Sequence, residues 1–270
     1  MQEISSKVLN HYQTKIYWIT GASSGIGEAL AYQLARRGNK LILSGRNIKA
    51  LEQVKVNCGN AAVQILPFDM EEIGEFAKIA ATAWGYFGRI DVLVNNAGFS
   101  QRSLAIDTPE ALENRIFRVN YFAPVALSKA LIPYFVQQGR GHIAVVSSIA
   151  GKFGFPLRSS YAASKHALHG YFEALRLELS QVPVYITLIC PGRVKTNISL
   201  NAVLADGSKH GVMDDGQRKG ISAASCASVI VRAIEKKKYE VLAGGAELIP
   251  VYLKRFVPSL FYFLIKKIKP

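Results

Sequence analysis

Acidic residues are scarce in this chain: 19 Asp and Glu stand against 33 Lys and Arg among 270 residues, for a formal net charge of +14. Such an excess attracts anions, so a nucleic-acid partner has to be weighed. No recognised nucleic-acid-binding module is visible, and that partner is set aside. Cysteine is scarce too. Cys58, Cys190 and Cys226 form no CxxC pair and cannot all be disulfide-bonded, which suggests a reducing compartment. Residues 1–13 are mixed polar and hold no apolar core, so no cleavable signal peptide is expected. The five histidines (His11, His142, His166, His169 and His210) do not fall at ligand spacing from cysteines or carboxylates, so no metal site is expected. The chain also lacks internal repeats and low-complexity stretches.

What is present is an alternation of short apolar runs and helical patterns. Ile16–Thr20, Leu41–Leu43, Val63–Leu66, Val92–Val94, Ile143–Val146 and Val184–Ile189 read as buried strands, with amphipathic stretches between them. Nothing interrupts the alternation as a linker would. The expected fold is α/β: one domain built on a doubly wound parallel sheet with helices on both faces.

Directly after the first strand comes Gly21-Ala-Ser23-Ser24-Gly25-Ile26-Gly27, followed by a helical pattern from Glu28 to Arg37. Glycines permit a tight turn and let an anionic ligand approach the backbone. A helix N-terminus behind them offers free N–H groups and a positive dipole end to a pyrophosphate. The spacing is GxxxGxG, not GxGxxG. The strand–loop–helix context of a dinucleotide site is met, and a ligand-free glycine turn is the other reading.

Tyr161 and Lys165 stand four residues apart, hence on one face of a helix. A phenol alone has a pKa near 10 and shuttles protons poorly at neutral pH. A fixed positive charge beside it would lower that value and make a general acid/base. A packed tyrosine next to a surface lysine would give the same spacing.

Five motifs in register carry a resemblance. Thr20 to Gly27, Asn95-Asn96-Ala97-Gly98, Ser148, Tyr161/Lys165 and Pro191-Gly192 are similar in order and spacing to those of the short-chain dehydrogenase/reductase family, over roughly residues 14–245. The segment from Asn201 to Asp214 resembles the lid of the dehydrogenase/reductase member 7B-like subgroup. The regions around Ser148 and Tyr161 are also similar to microsomal hydroxysteroid dehydrogenases.

The resemblance implies a Rossmann-like fold and an oxidoreductase that interconverts a carbonyl and a secondary alcohol. Tyr161 would exchange the proton with the substrate oxygen, and Lys165 would hold the nicotinamide ribose and keep the phenol acidic. Ser148 would bond the substrate oxygen, with Ser147 as the neighbouring alternative. Asn120 would hold a water of the proton relay. For the cofactor, the resemblance points to Gly21, Ser23, Ser24, Gly25, Ile26 and Gly27 at the pyrophosphate, and to Asp69 and Met70 at the adenine. It points further to Asn96, Ala97 and Gly98 along the cofactor edge, and to Pro191, Gly192, Val194 and Thr196 at the carboxamide. The second strand ends Ser44-Gly45-Arg46 without the carboxylate that binds a ribose 2′-hydroxyl, and arginine suits a 2′-phosphate, so NADP(H) is expected over NAD(H). Phe99, Phe153, Phe155, Pro156, Leu157 and residues 197–213 are expected to wall an apolar pocket for a lipophilic substrate. The family likeness also implies a homodimer or homotetramer.

The expected organisation is an N-terminal extension (1–13), the catalytic domain (14–245) with a substrate lid at about 193–220, and a C-terminal segment (246–270). Residues 232–270 carry nine Lys/Arg against three Glu, interleaved with apolar and aromatic side chains from Ile249 to Ile265. That pattern suits peripheral contact with anionic lipid. The apolar run Leu260–Ile265 is far shorter than the ~20 residues that span a bilayer. A helix packed over the pocket, or against a second subunit, is the alternative. The expected location is cytoplasmic, with or without that membrane contact. An active enzyme and a catalytically silent cofactor-binding partner are the two functional readings carried forward.

Overall fold

The computed structural model describes residues 14–265, so the N-terminal extension and the last lysines lie outside the described residues. The chain runs β1 (Ile16–Thr20), α1 (Gly25–Arg36), β2 (Lys40–Ser44), α2 (Ile48–Asn57), β3 (Val63–Ile65), α3 (Phe76–Phe87) and β4 (Val92–Asn95). It continues α4 (Glu110–Phe117), a π-type turn (Arg118–Phe122), α5 (Ala123–Gln137), β5 (Gly141–Val146), α6 (Ser159–Glu178) and β6 (Val184–Pro191). The last part holds β7 (Val194–Lys195), α7 (Asp215–Arg218), β8 (Ile221–Ser222), α8 (Ala223–Glu235), β9 (Glu240–Ala243), α9 (Ile249–Phe256) and α10 (Pro258–Ile265).

Seven parallel strands form one sheet in the order β3-β2-β1-β4-β5-β6-β9. The strands are apolar at nearly every position because both faces are covered. Side-chain alternation then sorts them into two layers. Tyr17, Ile19, Leu41, Leu43 and Val94 meet Leu30 and Leu34 of α1 and Ile230 and Ile234 of α8. Ile16, Trp18, Ile42, Leu93 and Val145 meet Leu127, Leu131 and Phe135 of α5 and Leu168 and Phe172 of α6. The one polar atom of Trp18 donates to Ser44 Oγ at 2.9 Å, so burying this ring leaves no donor unsatisfied.

All six strands expected from the apolar runs form. The seventh, β9, escaped notice because it is a four-residue edge strand that begins on an exposed glutamate. Helix α1 starts at Gly25 rather than Glu28, since the glycine loop itself supplies the first turn. Among the described residues one helix, Glu110–Gln137, is long and apolar enough to cross a membrane by length and composition. Its buried face packs on the sheet through Leu127, Leu131 and Phe135.

Helices α9 and α10 bury part of their apolar surface against the domain. Phe261 is 3% exposed, with its ring 5.3 Å from that of Phe153. Ile249, Tyr252, Phe256, Leu260, Tyr262 and Phe263 of the same two helices are exposed. One face is packed and the other faces outward.

Candidate functional site

A cleft of about 1010 Å³ opens along the carboxyl ends of the parallel strands. The order reverses between β1 and β4, and crevices at such switch points take ligands in open α/β sheets. Gly21, Ser23, Ser24, Gly25, Ile26, Arg46, Asp69, Met70, Asn96, Ala97, Gly98, Ser148, Tyr161, Lys165, Pro191, Gly192, Val194 and Thr196 all line it. Gly27 and Asn120, by contrast, stand behind its wall.

The glycine loop is shaped by close approach. Gly21 has φ +64°, and a Cβ there would lie 2.8 Å from Ala97 Cα. A Cβ on Gly27 would collide with the Gly21 carbonyl oxygen, so this helix can fold back on its loop only through glycine. The Asn96 side chain completes the cradle, donating to the carbonyls of Thr20 (3.0 Å) and Gly21 (3.1 Å). Thr20 Oγ1 accepts from the N–H groups of Asn96 and Ala97. Ser24 precedes α1 without capping it through its side chain, which leaves the first-turn N–H groups for a ligand. These features fit a dinucleotide pyrophosphate.

At the far end, α6 brings Tyr161 and Lys165 together as the spacing required. Tyr161 is 8% exposed and Lys165 4%. The ammonium lies 5.8 Å from the Tyr161 ring centroid and donates to the Val146 carbonyl at 2.9 Å. Burial raises the Tyr161 phenol, while its hydrogen bond with Ser148 and the guanidinium groups of Arg158 and Arg102 pull the other way. The Lys165 ammonium stands close to the ring as the spacing required, and the two arginines add further positive charge around the phenol. One of the lysine's three N–H donors is used on a backbone carbonyl, and burial brings its own pKa down to about 8.

The two serines separate cleanly. Ser148 faces Tyr161, with its hydroxyl 3.5 Å from the Pro191 carbonyl. Ser147 Oγ donates to the Lys165 carbonyl and sits 3.1 Å from His169 Nε2. Asn120 is buried in the π-type turn, a distortion frequent at functional sites. Its Oδ1 accepts from Phe99 N–H at 3.1 Å, and its Nδ2 donates to the Phe99 carbonyl and Ser164 Oγ. A Cβ on Gly98 would fall 2.9 Å from Asn120 Oδ1 and 3.5 Å from Lys165 Nζ. The asparagine therefore ties its helix to the loop behind the lysine.

Phe99, Phe153, Phe155 and Val203 contribute the apolar wall, whereas Pro156 and Leu157 do not reach the cleft. Their segment turns away at Leu157, whose φ of +62° is unusual for leucine. That turn aims Arg158 inward. Arg158 and Arg102 both bond Asp214 Oδ2, at 2.8 and 2.5 Å. The Asp214 carboxyl is held below the usual carboxylate range by these bonds, even though burial opposes it. Reading the sequence did not single out this triad, because its members are up to 112 positions apart.

The fold also gathers His169, Cys190 and Glu240 with ligand atoms within 4.8 Å of one another, a cluster that sequence spacing did not reveal. Lys152 Nζ already fills that place, 2.5 Å from Glu240 Oε2 and 3.2 Å from His169 Nδ1. A second cation there would meet its charge.

Comparison with known proteins agrees with this geometry. Residues 15–205 match the family model described as short chain dehydrogenase. The chain is 40% identical to dehydrogenase/reductase SDR family member 7B of Mus musculus over 97% of its own length and 83% of that protein. It is 34% identical to the SDR family protein 7-like of Drosophila melanogaster, over 97% and 83%. A short-chain dehydrogenase/reductase from Burkholderia phymatum, solved with NAD, superposes with a TM-score of 0.80 at 26% identity, covering 92% of this chain and 95% of that one. An alcohol dehydrogenase from Thermococcus sibiricus, complexed with 5-hydroxy-NADP, gives 0.74 at 25% identity, over 87% and 98%. A glycine cradle at the switch point, a Ser/Tyr/Lys cluster at its far end and a family match over most of the chain converge: the protein belongs to the short-chain dehydrogenase/reductase family of oxidoreductases.

Proposed function

We propose that the protein is an NADP(H)-dependent oxidoreductase that interconverts a carbonyl and a secondary alcohol on a lipophilic small molecule. The observation that carries this reading is the buried Tyr161 phenol, hydrogen-bonded with Ser148 on the floor of a cleft whose other end is a dinucleotide cradle. Bound NADP(H) would supply or accept the hydride. The chain's own groups orient the reactants and handle the proton. In reduction, the Tyr161 hydroxyl gives its proton to the substrate oxygen as the carbonyl carbon gains hydride; in oxidation the proton returns. Ser148 Oγ bonds the same oxygen and stabilises the charge that develops there. Lys165 would hold the nicotinamide ribose hydroxyls, Asn120 would keep the lysine loop in register and support the relay water, and Asp69 with Met70 would border the adenine. A silent cofactor-binding partner would have no use for Ser148, Tyr161, Lys165 and Asn120 together. Residues 14–245 act as the catalytic unit, with 193–220 closing over the substrate.

Cofactor preference rests on Arg46. Its Nη1 lies 3.6 Å from both Asp69 Oδ2 and Glu71 Oε1, and the side chain is well exposed, free to swing onto a 2′-phosphate. A hydrogen bond to a charged group contributes about 1.5–3 kcal/mol, so Arg46→Ala should cut the preference for NADPH over NADH by about ten- to a hundred-fold. Fluorescence titration of both cofactors checks this. A wild-type preference for NADH would refute the assignment.

The outward face of α9 and α10 is proposed to dock on anionic lipid. Exposed Tyr252, Phe256 and Tyr262 share these two helices with the exposed Arg255, the pairing that interfacial helices use. The protein should co-sediment with anionic vesicles and be partly released as salt rises, because surface charges are screened over about 8 Å at physiological ionic strength. Truncation after Glu247 should abolish sedimentation, but it also uncovers Phe153. The double variant Tyr252→Ser/Phe256→Ser keeps Phe261 in place and should lose vesicle binding with turnover on a soluble ketone intact. Unchanged sedimentation by that variant would exclude this face.

A further inference from the structure

The helix that carries Tyr161 starts without a local cap. Arg158 precedes α6, and its side chain accepts nothing from the first turn. The N–H groups of a first helical turn need partners from outside the helix. For Tyr161 that partner comes from 60 positions away: Gln101 Oε1 accepts from the Tyr161 backbone N–H at 3.0 Å. Gln101 is completely buried. Its amide nitrogen is directed at Thr108 Oγ1 (3.1 Å), Ser103 Oγ (3.3 Å) and Ser159 Oγ (3.4 Å). A fully buried amide with both ends engaged is held in one orientation, and it transmits that orientation to what it touches.

The surroundings of Gln101 reach further into the same turn. Ser103 N–H donates to the Leu157 carbonyl at 3.2 Å, gripping the residue with φ +62° that redirects the chain into α6. A left-handed leucine persists only where its surroundings over-determine it. On its other side Gln101 pairs with Val203 in an isolated bridge. Arg102 N–H bonds the Val203 carbonyl, and Val203 N–H bonds the Ser100 carbonyl, both at 2.9 Å. One buried side chain and its two neighbours thus join the loop after β4, the first turn of α6 and the segment that closes over the cleft.

We propose that Gln101 is a positioning residue for Tyr161: its side-chain carbonyl caps the tyrosine's own N–H and sets the height of the phenol relative to Ser148. The proposal rests on the acid/base reading of Tyr161. Gln101 touches neither substrate nor cofactor. It acts through the backbone of α6, so its removal should weaken the chemical step and spare binding.

Two variants test this, assayed with NADPH and decan-2-one as the probe ketone and compared with Tyr161→Phe. Gln101→Leu keeps most of the volume but removes the acceptor. A displacement of about 1 Å at a reacting group lowers turnover about a hundredfold, so kcat should fall by about ten- to a hundred-fold while the NADPH Kd and the KM stay within about twofold. Gln101→Glu retains an acceptor for the Tyr161 N–H and places a carboxylate near the phenol. It should recover most of kcat and move the alkaline limb of kcat/KM upward by about one pH unit, because a nearby negative charge disfavours the phenolate. If Gln101→Leu does not fold, Gln101→Asn, which draws the acceptor back by one methylene, decides: kcat lowered at least about tenfold with the NADPH Kd within about twofold supports the proposal, and an unchanged kcat overturns it. A folded Gln101→Leu with kcat within about twofold of wild type also overturns it, as does a loss shared equally by kcat and NADPH affinity. These failures are distinct from failure of the acid/base reading, in which Tyr161→Phe itself would turn over normally.

Discussion

Tyr161→Phe should reduce turnover by about 10²–10⁴-fold, the usual worth of a positioned proton donor, while NADPH affinity stays within about threefold. The substitution keeps the ring, which is buried with Ala150 and Ala162, and deletes only the hydroxyl. Melting temperature should therefore change little. Stopped-flow or steady-state reduction of a ketone panel, with cofactor binding measured in parallel, gives both numbers. Near-normal turnover would remove the acid/base assignment. The pH profile of the wild-type protein adds a sign. Burial raises the phenol above its ordinary value, so the neutral, donating form dominates through neutral pH. Carbonyl reduction should hold level from mildly acidic to neutral pH and fall only on the alkaline side. Alcohol oxidation, which needs the deprotonated form, should rise across that same side.

Lys165→Met should injure binding and turnover together. The side chain is buried, and burial brings the pKa of its ammonium down to about 8. Loss of a charged hydrogen bond to the ribose weakens NADPH by about ten- to a hundred-fold, at about 1.5–3 kcal/mol. Turnover should drop by at least as much, since the ribose and the phenol lose their common neighbour. The pH dependence separates this role from simple packing. Above about pH 8 the wild-type ammonium is increasingly neutral in the free protein, so NADPH affinity should decline there, and the Met variant should show no such decline. Stability moves in the opposite direction. A lysine whose folded pKa lies below its unfolded value of about 10.4 is bound to more protons when unfolded, so its contribution to stability grows with pH across that window and is smallest at neutral pH. Methionine removes the buried charge and should melt at the same temperature or higher at pH 7. That trade of function against stability is common at active sites. A Met variant with normal NADPH affinity, flat in pH, would show that Lys165 only fills space.

Local patterns told much of this in advance. Six apolar runs became six parallel strands because buried parallel strands need no polar alternation and so stand out as continuous hydrophobic stretches. The edge strand β9 has no such signature. Glycine spacing marked the cradle, since the steric demand at Gly21 and Gly27 is met by one residue type alone. The i, i+4 relation of Tyr161 and Lys165 follows from helix geometry without any tertiary knowledge. It did not show where the lysine's charge points. Lys165 donates to the Val146 carbonyl, and Arg158 and Arg102, which no spacing marked, add their charge near the phenol.

By itself, then, the amino-acid sequence determined what depends on neighbours in the chain: the parallel-sheet class, the glycine cradle, the Ser148/Tyr161/Lys165 register and the family. The tertiary structure decided whatever depends on residues that meet only after folding. Gln101 reaches Tyr161, Arg102 and Arg158 share Asp214, and Lys152 occupies the cation place between His169 and Glu240. The physical reason is the same in each case. Hydrophobic periodicity and glycine placement act over a few residues, whereas buried polar groups must find partners wherever the packed core brings them within about 3 Å. The same holds for α9 and α10, whose apolar and aromatic side chains, with Lys254 and Arg255 among them, do not say from sequence which face is packed. Only packing shows that Phe261 faces Phe153 while Tyr252 and Phe256 face outward.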